Sequence, residues 1–224
     1  EMYNLSNNAL IMGILNLTPD SFYSDSNTSL QGRLDRLKNA DIIDIGAESS
    51  RPGAIPVSSN EEIKRINTLL PFLDKNLAYK LSIDTYKSKT AYFALQNGFH
   101  IVNDISGGKS PEMLEIVAGH NAKIILMHMQ GSPRTMQKNP VYKDIINDIL
   151  LFFDKRCNRA IKAGISYDKI IIDPGIGFGK TITDNDKIIA NISKFKELGF
   201  PILIGLSRKS FLQYNDDLPP ERLS

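Results

Sequence analysis

The sequence predicts an α/β protein whose parallel strands close into a TIM (β/α)8 barrel, and two observations carry this prediction. Apolar strand-like runs alternate with amphipathic helical stretches along all 224 residues, a pattern typical of parallel strands joined by right-handed crossovers. Polar residues also follow every apolar run, as in a barrel, whereas the alternative of a doubly wound sheet usually concentrates its site at one switch point. We therefore favour one barrel domain over residues 1–224.

The individual elements follow from the spacing of apolar residues and from turn signals. The predicted strands are residues 9–15, 40–46, 81–83, 100–102, 123–127, 169–172 and 201–205. The predicted helices are residues 30–38, 61–73, 88–96, 111–118, 140–163 and 185–198. Pro71 is expected to kink or divide the second helix, and Gly98 to end the third. The eighth βα unit is missing from these elements, so we expect the sequence to be a piece of a longer chain.

Composition excludes several classes of function. A net charge of +2 is too small to indicate binding to nucleic acid or to a membrane surface. The single cysteine, Cys157, cannot form an internal disulfide, which is consistent with a reducing compartment. It lies on an apolar helical stripe, so we expect it in the core. The sequence has neither a run of about 20 apolar residues nor a signal peptide, so a cytoplasmic location is predicted.

The first strand ends in an unusually polar stretch. Residues 13–22 read GILNLTPDSF, so Asn16, Thr18, Pro19 and Asp20 follow the apolar run almost without interruption. Asn16 and Asp20 offer hard oxygen donors that could hold Mg²⁺ together with phosphate oxygens and water. The sequence therefore predicts that this strand presents polar chemistry at the barrel mouth.

Asp84, Asn103 and Asp173 each close an otherwise apolar strand. One interpretation is that each caps the following helix, because Asp and Asn are good N-caps. The other is that the three converge on a ligand, since a carboxylate inside a barrel must be solvated, paired or bound. Their hydrogen-bonding capacity suits the edge of a flat heterocycle that offers paired N–H donors. The convergence of three such groups favours the ligand.

The glycine-rich turn at residues 175–181, GIGFGKT, resembles a nucleotide-binding loop only superficially. Pro174 stands where a P-loop needs its first glycine, and the spacing also fails the dinucleotide fingerprint. We expect these glycines to form a tight turn or to let backbone approach a ligand. His128, which follows the fifth strand, could be a general base, but such a histidine is more often packed and hydrogen-bonded.

Cations at the same rim complete the pattern. Arg51 follows Ser49 and Ser50 directly off a strand, and Ser207, Arg208 and Lys209 follow another, where the alternatives are surface charge or an anion site. A heterocycle, an anion and a hard cation together indicate a pyrophosphate ester as the ligand.

These motifs resemble those of the dihydropteroate synthase family. The matching segments are GILNLTPDSF, DIIDIGAESSRPGA, SIDTYKS, NDISGG, LMHMQGSPRTMQ, IIIDPGIGFGK and GLSRKSF, which span almost the whole chain in the family's order. The resemblance implies a transferase of folate biosynthesis, the target of sulfonamides, on a TIM barrel. It would join 4-aminobenzoate to 6-hydroxymethyl-7,8-dihydropterin diphosphate and release pyrophosphate. Mg²⁺ is the implied cofactor.

The resemblance also implies a role for individual residues. The pterin would be bound by Asp84, Asn103, Met129, Asp173 and Lys209. Asn16 would hold the metal and the diphosphate. The aminobenzoate pocket and its closing loops would comprise Thr18, Pro19, Asp20, Phe22, Ser50, Arg51, Pro52, Phe178 and Ser207. Catalysis would depend on electrostatic stabilisation by Asp84, Asp173, Lys209 and Arg51 after the C–O bond to pyrophosphate breaks.

The same resemblance sets expectations about assembly and leaves rivals open. It implies a homodimer, permits fusion behind the pyrophosphokinase that makes the substrate, and places an eighth strand with an Arg-x-His pair after Ser224. One alternative is a pterin-binding methyltransferase domain, which would lack the TPDSF and SSRPGA loops that this sequence has. Another is a non-catalytic barrel that binds a pterin or a partner subunit.

Overall fold

Six parallel strands alternate with helices in the computed structural model, which describes residues 9–18, 29–49, 55–73, 80–136 and 138–206. The strands are β1 (Met12–Asn16), β2 (Ile42–Gly46), β3 (Lys80–Asp84), β4 (Ile101–Asp104), β5 (Lys123–Met127) and β6 (Ile170–Asp173). The helices are α1 (Leu30–Arg36), α2 (Ser59–Leu69), α3 (Ser88–Gln96), α4 (Pro111–Gly119), α5 (Ile145–Lys162), α6 (Ile182–Ala190) and α7 (Ile192–Lys196). Short 3₁₀ helices cover Leu70–Phe72 and Tyr167–Lys169.

The strands lie side by side in chain order, and every neighbouring pair is parallel. The predicted seventh strand, residues 201–205, is represented by one bridge between Ile172 and Ile202. Two backbone hydrogen bonds flank it, from the Ile172 amide to Pro201 and from the Leu203 amide to Ile172. The chain therefore begins to extend the sheet beyond β6, in the order that a barrel requires.

The two faces of the sheet have different compositions. Outward-facing residues such as Ile43, Ile83 and Ile124 are fully buried beneath the helices and form the main core. Inward-facing residues are more polar and include Asp44 and Ser82. Because strand residues alternate between faces, one sequence supplies both the core and a polar interior.

Most predicted helices are confirmed, although several of their bounds differ from the prediction. The longest helix begins at Ile145 rather than at residue 140, because the Asp144 side chain caps it by accepting from the Asn147 amide. The predicted helix over residues 185–198 is two helices, α6 and α7, with the junction at Asn191. Pro71 does divide its helix, since α2 ends at Leu69 and a 3₁₀ turn follows.

Cys157 lies in the core on α5, as predicted, and burial raises the pKa of its thiol to about 12. The predicted stop at Gly98 is also observed, because this glycine follows α3 with φ of 88°. Among the helices in the described part of the chain, none is both long enough and apolar enough to span a bilayer.

Candidate active site

The strand register brings three predicted site residues into one row. Asn16 pairs with Gly46, Gly46 with Asp84, and Asp84 with Asn103. Residues paired across parallel strands point to the same face, so these side chains share the inner surface of the sheet. Asp173 lies farther round at the end of β6, where it pairs with Met127. The register thus places Asp84 and Asn103 next to each other, with Asp173 two strands beyond Asn103.

The helix-capping interpretation of these three side chains is wrong. Lys87 occupies the N-cap of α3 with no side-chain capping bond. Ser110 caps α4 through its hydroxyl, and Thr181 caps α6 in a reciprocal capping box. The strand-end carboxylates and amide are therefore not occupied at helix N-termini.

Asp84 is the most strongly perturbed acid at the mouth. Its pKa is raised well above the usual value for an aspartate, chiefly by burial and then by the negative charges of Asp44, Glu62, Asp104 and Glu48. A ligand that brings N–H donors or positive charge would stabilise the ionised form of a carboxyl group in this environment. Perturbation of this kind is characteristic of functional sites.

Asp44 belongs to the same interior, although the sequence analysis did not select it. It lies on β2, is only 6% exposed, and accepts a hydrogen bond at Oδ2 from Asn103 Nδ2 at 2.9 Å. Burial raises the pKa of Asp44, while the nearby Ser82 hydroxyl and Asn103 amide oppose that rise. The signal that could have found it is an acid in the middle of the apolar strand sequence IIDI.

Asp173 is also buried, and its Oδ1 accepts from the Gly175 amide at 2.7 Å. Gly175 has φ of 69°, and a Cβ built on it would lie 2.0 Å from the His128 carbonyl oxygen. Only glycine fits there, since both the backbone angle and the close approach exclude a side chain. The tight-turn expectation for the glycine-rich stretch is confirmed, and the backbone that it approaches belongs to the loop after β5.

The lysine that ends the GIGFGK sequence is a residue that the sequence analysis missed. Lys180 is only 3% exposed, and its Nζ lies 3.1 Å from His128 Nδ1, 3.2 Å from the His128 carbonyl oxygen and 2.9 Å from the Phe178 carbonyl oxygen. An ammonium can only donate, so His128 Nδ1 accepts. Lys180 therefore joins the loops that follow β5 and β6.

His128 is a packed residue, as the more conservative interpretation held. Its ring lies edge-on to Phe152 with centroids 4.9 Å apart. Burial, followed by the positive charge of Lys180, lowers its pKa to about 3. Because Nδ1 already accepts from Lys180, the geometry argues against a general-base role for this atom.

A charged network at the ends of β2 and β3 was also missed. Lys87 Nζ lies 3.0 Å from Glu62 Oε1 and 2.7 Å from Glu48 Oε2. Glu62 is 1% exposed and also accepts from the Thr85 and Thr90 hydroxyls. Hydrogen bonds on both carboxylate oxygens stabilise a charge that would otherwise be costly to bury.

Glu48 also holds the base of the loop that contains Arg51. Its Oε2 accepts from the Val57 amide at 2.7 Å, and its Oε1 accepts from the Tyr86 hydroxyl at 2.9 Å. Glu48 and Val57, which flank this loop, are thus joined through the Glu48 side chain, and that side chain is also paired with Lys87.

The side-chain oxygens of Asn16 and Asp84 both lie close to Gly46. A Cβ built on Gly46 would lie 2.9 Å from Asn16 Oδ1 and 3.6 Å from Asp84 Oδ2. A side chain at this position would collide with the Asn16 oxygen, so glycine allows Asn16 Oδ1 and Asp84 Oδ2 to lie close together over this strand. The backbone of Asn16 is held from the outside, because its carbonyl accepts from Arg33 Nη2 at 2.5 Å.

The remaining predicted residues fall into two groups. Met129 and Phe178 follow the ends of β5 and β6 and are partly buried, and Thr18 follows β1. Eight predicted site residues lie outside the described residues: Pro19, Asp20, Phe22, Ser50, Arg51, Pro52, Ser207 and Lys209.

Comparison with known proteins places this arrangement in context. The family model described as a pterin binding enzyme matches residues 12–223. The dihydropteroate synthase of Synechocystis sp. is 42% identical over 218 residues, which cover 94% of this chain and 75% of that protein.

Solved structures agree with this relationship. The structure of Yersinia pestis dihydropteroate synthase with a sulfonamide drug complex has a TM-score of 0.87 and 39% identity, covering 95% of this chain and 80% of that one. The structure of Xanthomonas albilineans dihydropteroate synthase with 4-aminobenzoic acid has a TM-score of 0.86 and 34% identity, covering 96% of this chain and 80% of that one. These neighbours are TIM barrels, so the predicted fold class is confirmed.

Proposed function

The chain belongs to the pterin binding enzyme family, and from this premise we propose that it acts as a dihydropteroate synthase. It condenses 4-aminobenzoate with 6-hydroxymethyl-7,8-dihydropterin diphosphate to give 7,8-dihydropteroate and pyrophosphate. The observation that carries the proposal is the adjacency of Asp84 and Asn103 on the inner face, with Asp173 at the same end of the barrel.

The pterin ring binds across the carboxyl ends of β3, β4 and β6. Asp84 and Asp173 supply oxygens for the N–H groups of the ring, and the raised pKa of Asp84 supports this assignment because a ligand donor favours its ionised form. Met129 packs against the ring, and Lys209 contacts its far edge. The ionised carboxylates also stabilise the electron-poor ring as positive charge develops on it.

The reaction replaces one bond at the methylene carbon of the pterin. The C–O bond to the diphosphate breaks with both electrons leaving on oxygen, and the amine of 4-aminobenzoate then forms the new C–N bond and loses a proton. The reaction needs no nucleophile from the protein, because no covalent link to the protein forms. Exclusion of water protects the cationic intermediate.

Mg²⁺ would be held by Asn16, whose Oδ1 lies beside Gly46 and near Asp84 Oδ2 at the carboxyl end of β1. Mg²⁺ commonly uses one or two protein ligands together with substrate phosphates and water, so a single amide oxygen is sufficient at this position. When bound, the ion would neutralise charge on the leaving diphosphate.

The 4-aminobenzoate site is formed by Phe178 and Ser207 with the loops of the mouth. Thr18, Pro19, Asp20 and Phe22 belong to one loop, and Ser50, Arg51 and Pro52 to the other. The attachment of Glu48 to Val57 and Lys87 supports a fixed base for the second loop. Arg51 then binds an anionic group of the substrates. Homodimer assembly, fusion behind a pyrophosphokinase and a cytoplasmic location are further parts of the proposal.

A direct assay tests the proposal. The full-length protein is incubated with Mg²⁺, the pterin diphosphate and 4-aminobenzoate, and dihydropteroate is measured by mass spectrometry, with a chelator and omission of either substrate as controls. Dihydropteroate is the expected product, and its absence from folded protein would overturn the proposal. Methyl transfer from a methylated folate to a corrinoid would favour the methyltransferase alternative. Pterin binding without either product would favour a non-catalytic barrel.

A further inference from the structure

Asp44 lies inside the barrel one layer below the row that carries Asp84 and Asn103. Its register partner on β3 is Ser82, whereas Asp84 pairs with Gly46 two residues later on β2. Both Asp44 and Ser82 are almost completely buried. Neither residue has a part in the proposed reaction, although burying a carboxylate is costly unless other groups compensate its charge.

The hydrogen bond between Asp44 and Asn103 determines which way the Asn103 amide faces. In the structure the nitrogen of the Asn103 amide faces Asp44 and donates to its Oδ2 at 2.9 Å. The amide group is planar, and its oxygen therefore points away from Asp44. Within the described part of the chain, the buried Asn103 Oδ1 has no hydrogen-bond partner.

Two buried polar side chains lie in the same interior. Asp44 and Ser82 are partners in the strand register, and the Ser82 hydroxyl acts on the Asp44 carboxyl as a donor that lowers its pKa. Buried polar atoms in native proteins are nearly always hydrogen-bonded, because an unsatisfied one destabilises the fold. The buried Asn103 Oδ1, by contrast, is available to accept a hydrogen bond from a ligand.

We propose that Asp44 is a positioning residue for the pterin site, which holds the Asn103 amide so that its oxygen is presented as an acceptor for an N–H group of the ring. Asp84, Asn103 and Asp173 then all offer acceptors. Without Asp44, the amide could turn and present its NH₂ group, which would oppose the donors of the ligand. This inference rests on the proposed function, because it names a determinant of the same pterin site.

Exchanging the two side chains tests the proposal. Asp44→Asn removes the fixed direction of the hydrogen bond, since two amides can pair in either sense. Asp44→Asn combined with Asn103→Asp restores a single direction, because the new amide at position 44 donates to the new carboxylate at position 103. The second carboxylate oxygen at position 103 is again an acceptor. The matched control is Asp41→Asn, an exposed aspartate just before the same strand at the opposite end of the barrel.

Affinity for 6-hydroxymethyl-7,8-dihydropterin is measured by calorimetry, and kinetics with both substrates give a second readout. We expect Asp44→Asn to weaken pterin affinity about ten-fold, as expected for the loss of one well-oriented hydrogen bond. The KM for the pterin diphosphate should rise while the KM for 4-aminobenzoate is unchanged. The exchanged pair should recover most of the affinity, and the control should match the wild type.

Three results would overturn the proposal. The first is wild-type affinity in Asp44→Asn, and the second is an exchanged pair that regains thermal stability without regaining affinity. The third is an exchanged pair that does not fold. This result would count against the proposal because the exchange retains the hydrogen bond and the net charge. If Asp44→Asn alone does not fold, the affinity of the exchanged pair decides. A wild-type protein that does not bind the pterin would instead contradict the proposed function itself.

Discussion

The Lys87 ammonium lies 3.0 Å from a carboxylate oxygen of Glu62, a side chain that is only 1% exposed. The two residues come from α2 and from the turn before α3, so their ion pair joins consecutive βα units at the carboxyl end of the barrel. Lys87 also pairs with Glu48, which holds the base of the Arg51 loop. Lys87 therefore connects the ends of β2 and β3 with the start of α2 through two carboxylates.

Lys87→Met should destabilise the protein by about 3 kcal/mol, because it leaves the Glu62 charge buried without its cation. Urea unfolding measures the effect. Lys89→Met is the matched control on the same helix, where the lysine is exposed and contacts only Asn60 among the interactions described; it should change stability by no more than about 0.5 kcal/mol. Equal effects of the two substitutions would contradict the assignment.

Gly175→Ala should cost about 3 kcal/mol or more, from backbone strain together with overpacking. The new Cβ would lie 2.0 Å from the His128 carbonyl oxygen. Gly98→Ala serves as the control because Gly98 also has positive φ, but a Cβ there meets nothing within 4 Å. It should cost only about 1 kcal/mol. If unfolding curves show the same loss of stability for both substitutions, the close approach of position 175 to the His128 carbonyl oxygen is not what excludes a side chain there.

The stability of the wild type should fall as the pH is lowered from 6.5, in part because of His128. Its pKa is about 3 in the folded protein against 6.5 ordinarily, so over that range the unfolded chain takes up a proton that the folded state does not. The loss on going from pH 6.5 to pH 5 is at most about 2 kcal/mol.

His128→Gln should reduce this acid sensitivity, while the control His120→Gln should leave it intact. Urea unfolding at pH 7 and pH 5 provides the comparison. The same loss of stability in wild type and in His128→Gln would show that other groups determine the acid response.

Asp84→Asn should make the unliganded protein more stable at pH 8 while it weakens pterin binding. The raised pKa of Asp84 means that the folded state holds its proton to higher pH than the unfolded chain does. Stability is therefore lost as pH rises through the folded pKa, and the neutral amide avoids that loss. Melting temperatures at pH 8 and pH 4 should show a gain that shrinks on acidification. A lower melting temperature at pH 8 would contradict this account.

Asp173→Asn should lower pterin affinity by about 10- to 100-fold, the value of a hydrogen bond to a charged group, with little change in melting temperature. Calorimetry with the pterin gives the affinity. Asp168→Asn, in the exposed 3₁₀ turn before β6, is the matched control and should bind as the wild type does. Unchanged affinity in Asp173→Asn would exclude this carboxylate from the site.

Local sequence patterns determined the element order, the barrel class and the strand-end positions of Asp84, Asn103 and Asp173. These features could be predicted because periodicity, glycine stops and the Pro71 break act within a few residues. Ser110 before Pro111, and Thr181 three residues before Asp184, are local capping signals of the same kind, and they could have excluded the capping interpretation of Asn103 and Asp173.

Only the tertiary structure decided which polar groups meet inside the barrel. Asn103 and Asp44 are 59 positions apart, and Lys180 and His128 are 52 apart. Such pairs depend on strand register and on how two loops approach, which no local pattern specifies. The site was therefore predictable as a set of strand ends, whereas the orientation of Asn103 and the burial of Lys180 follow from packing across the barrel.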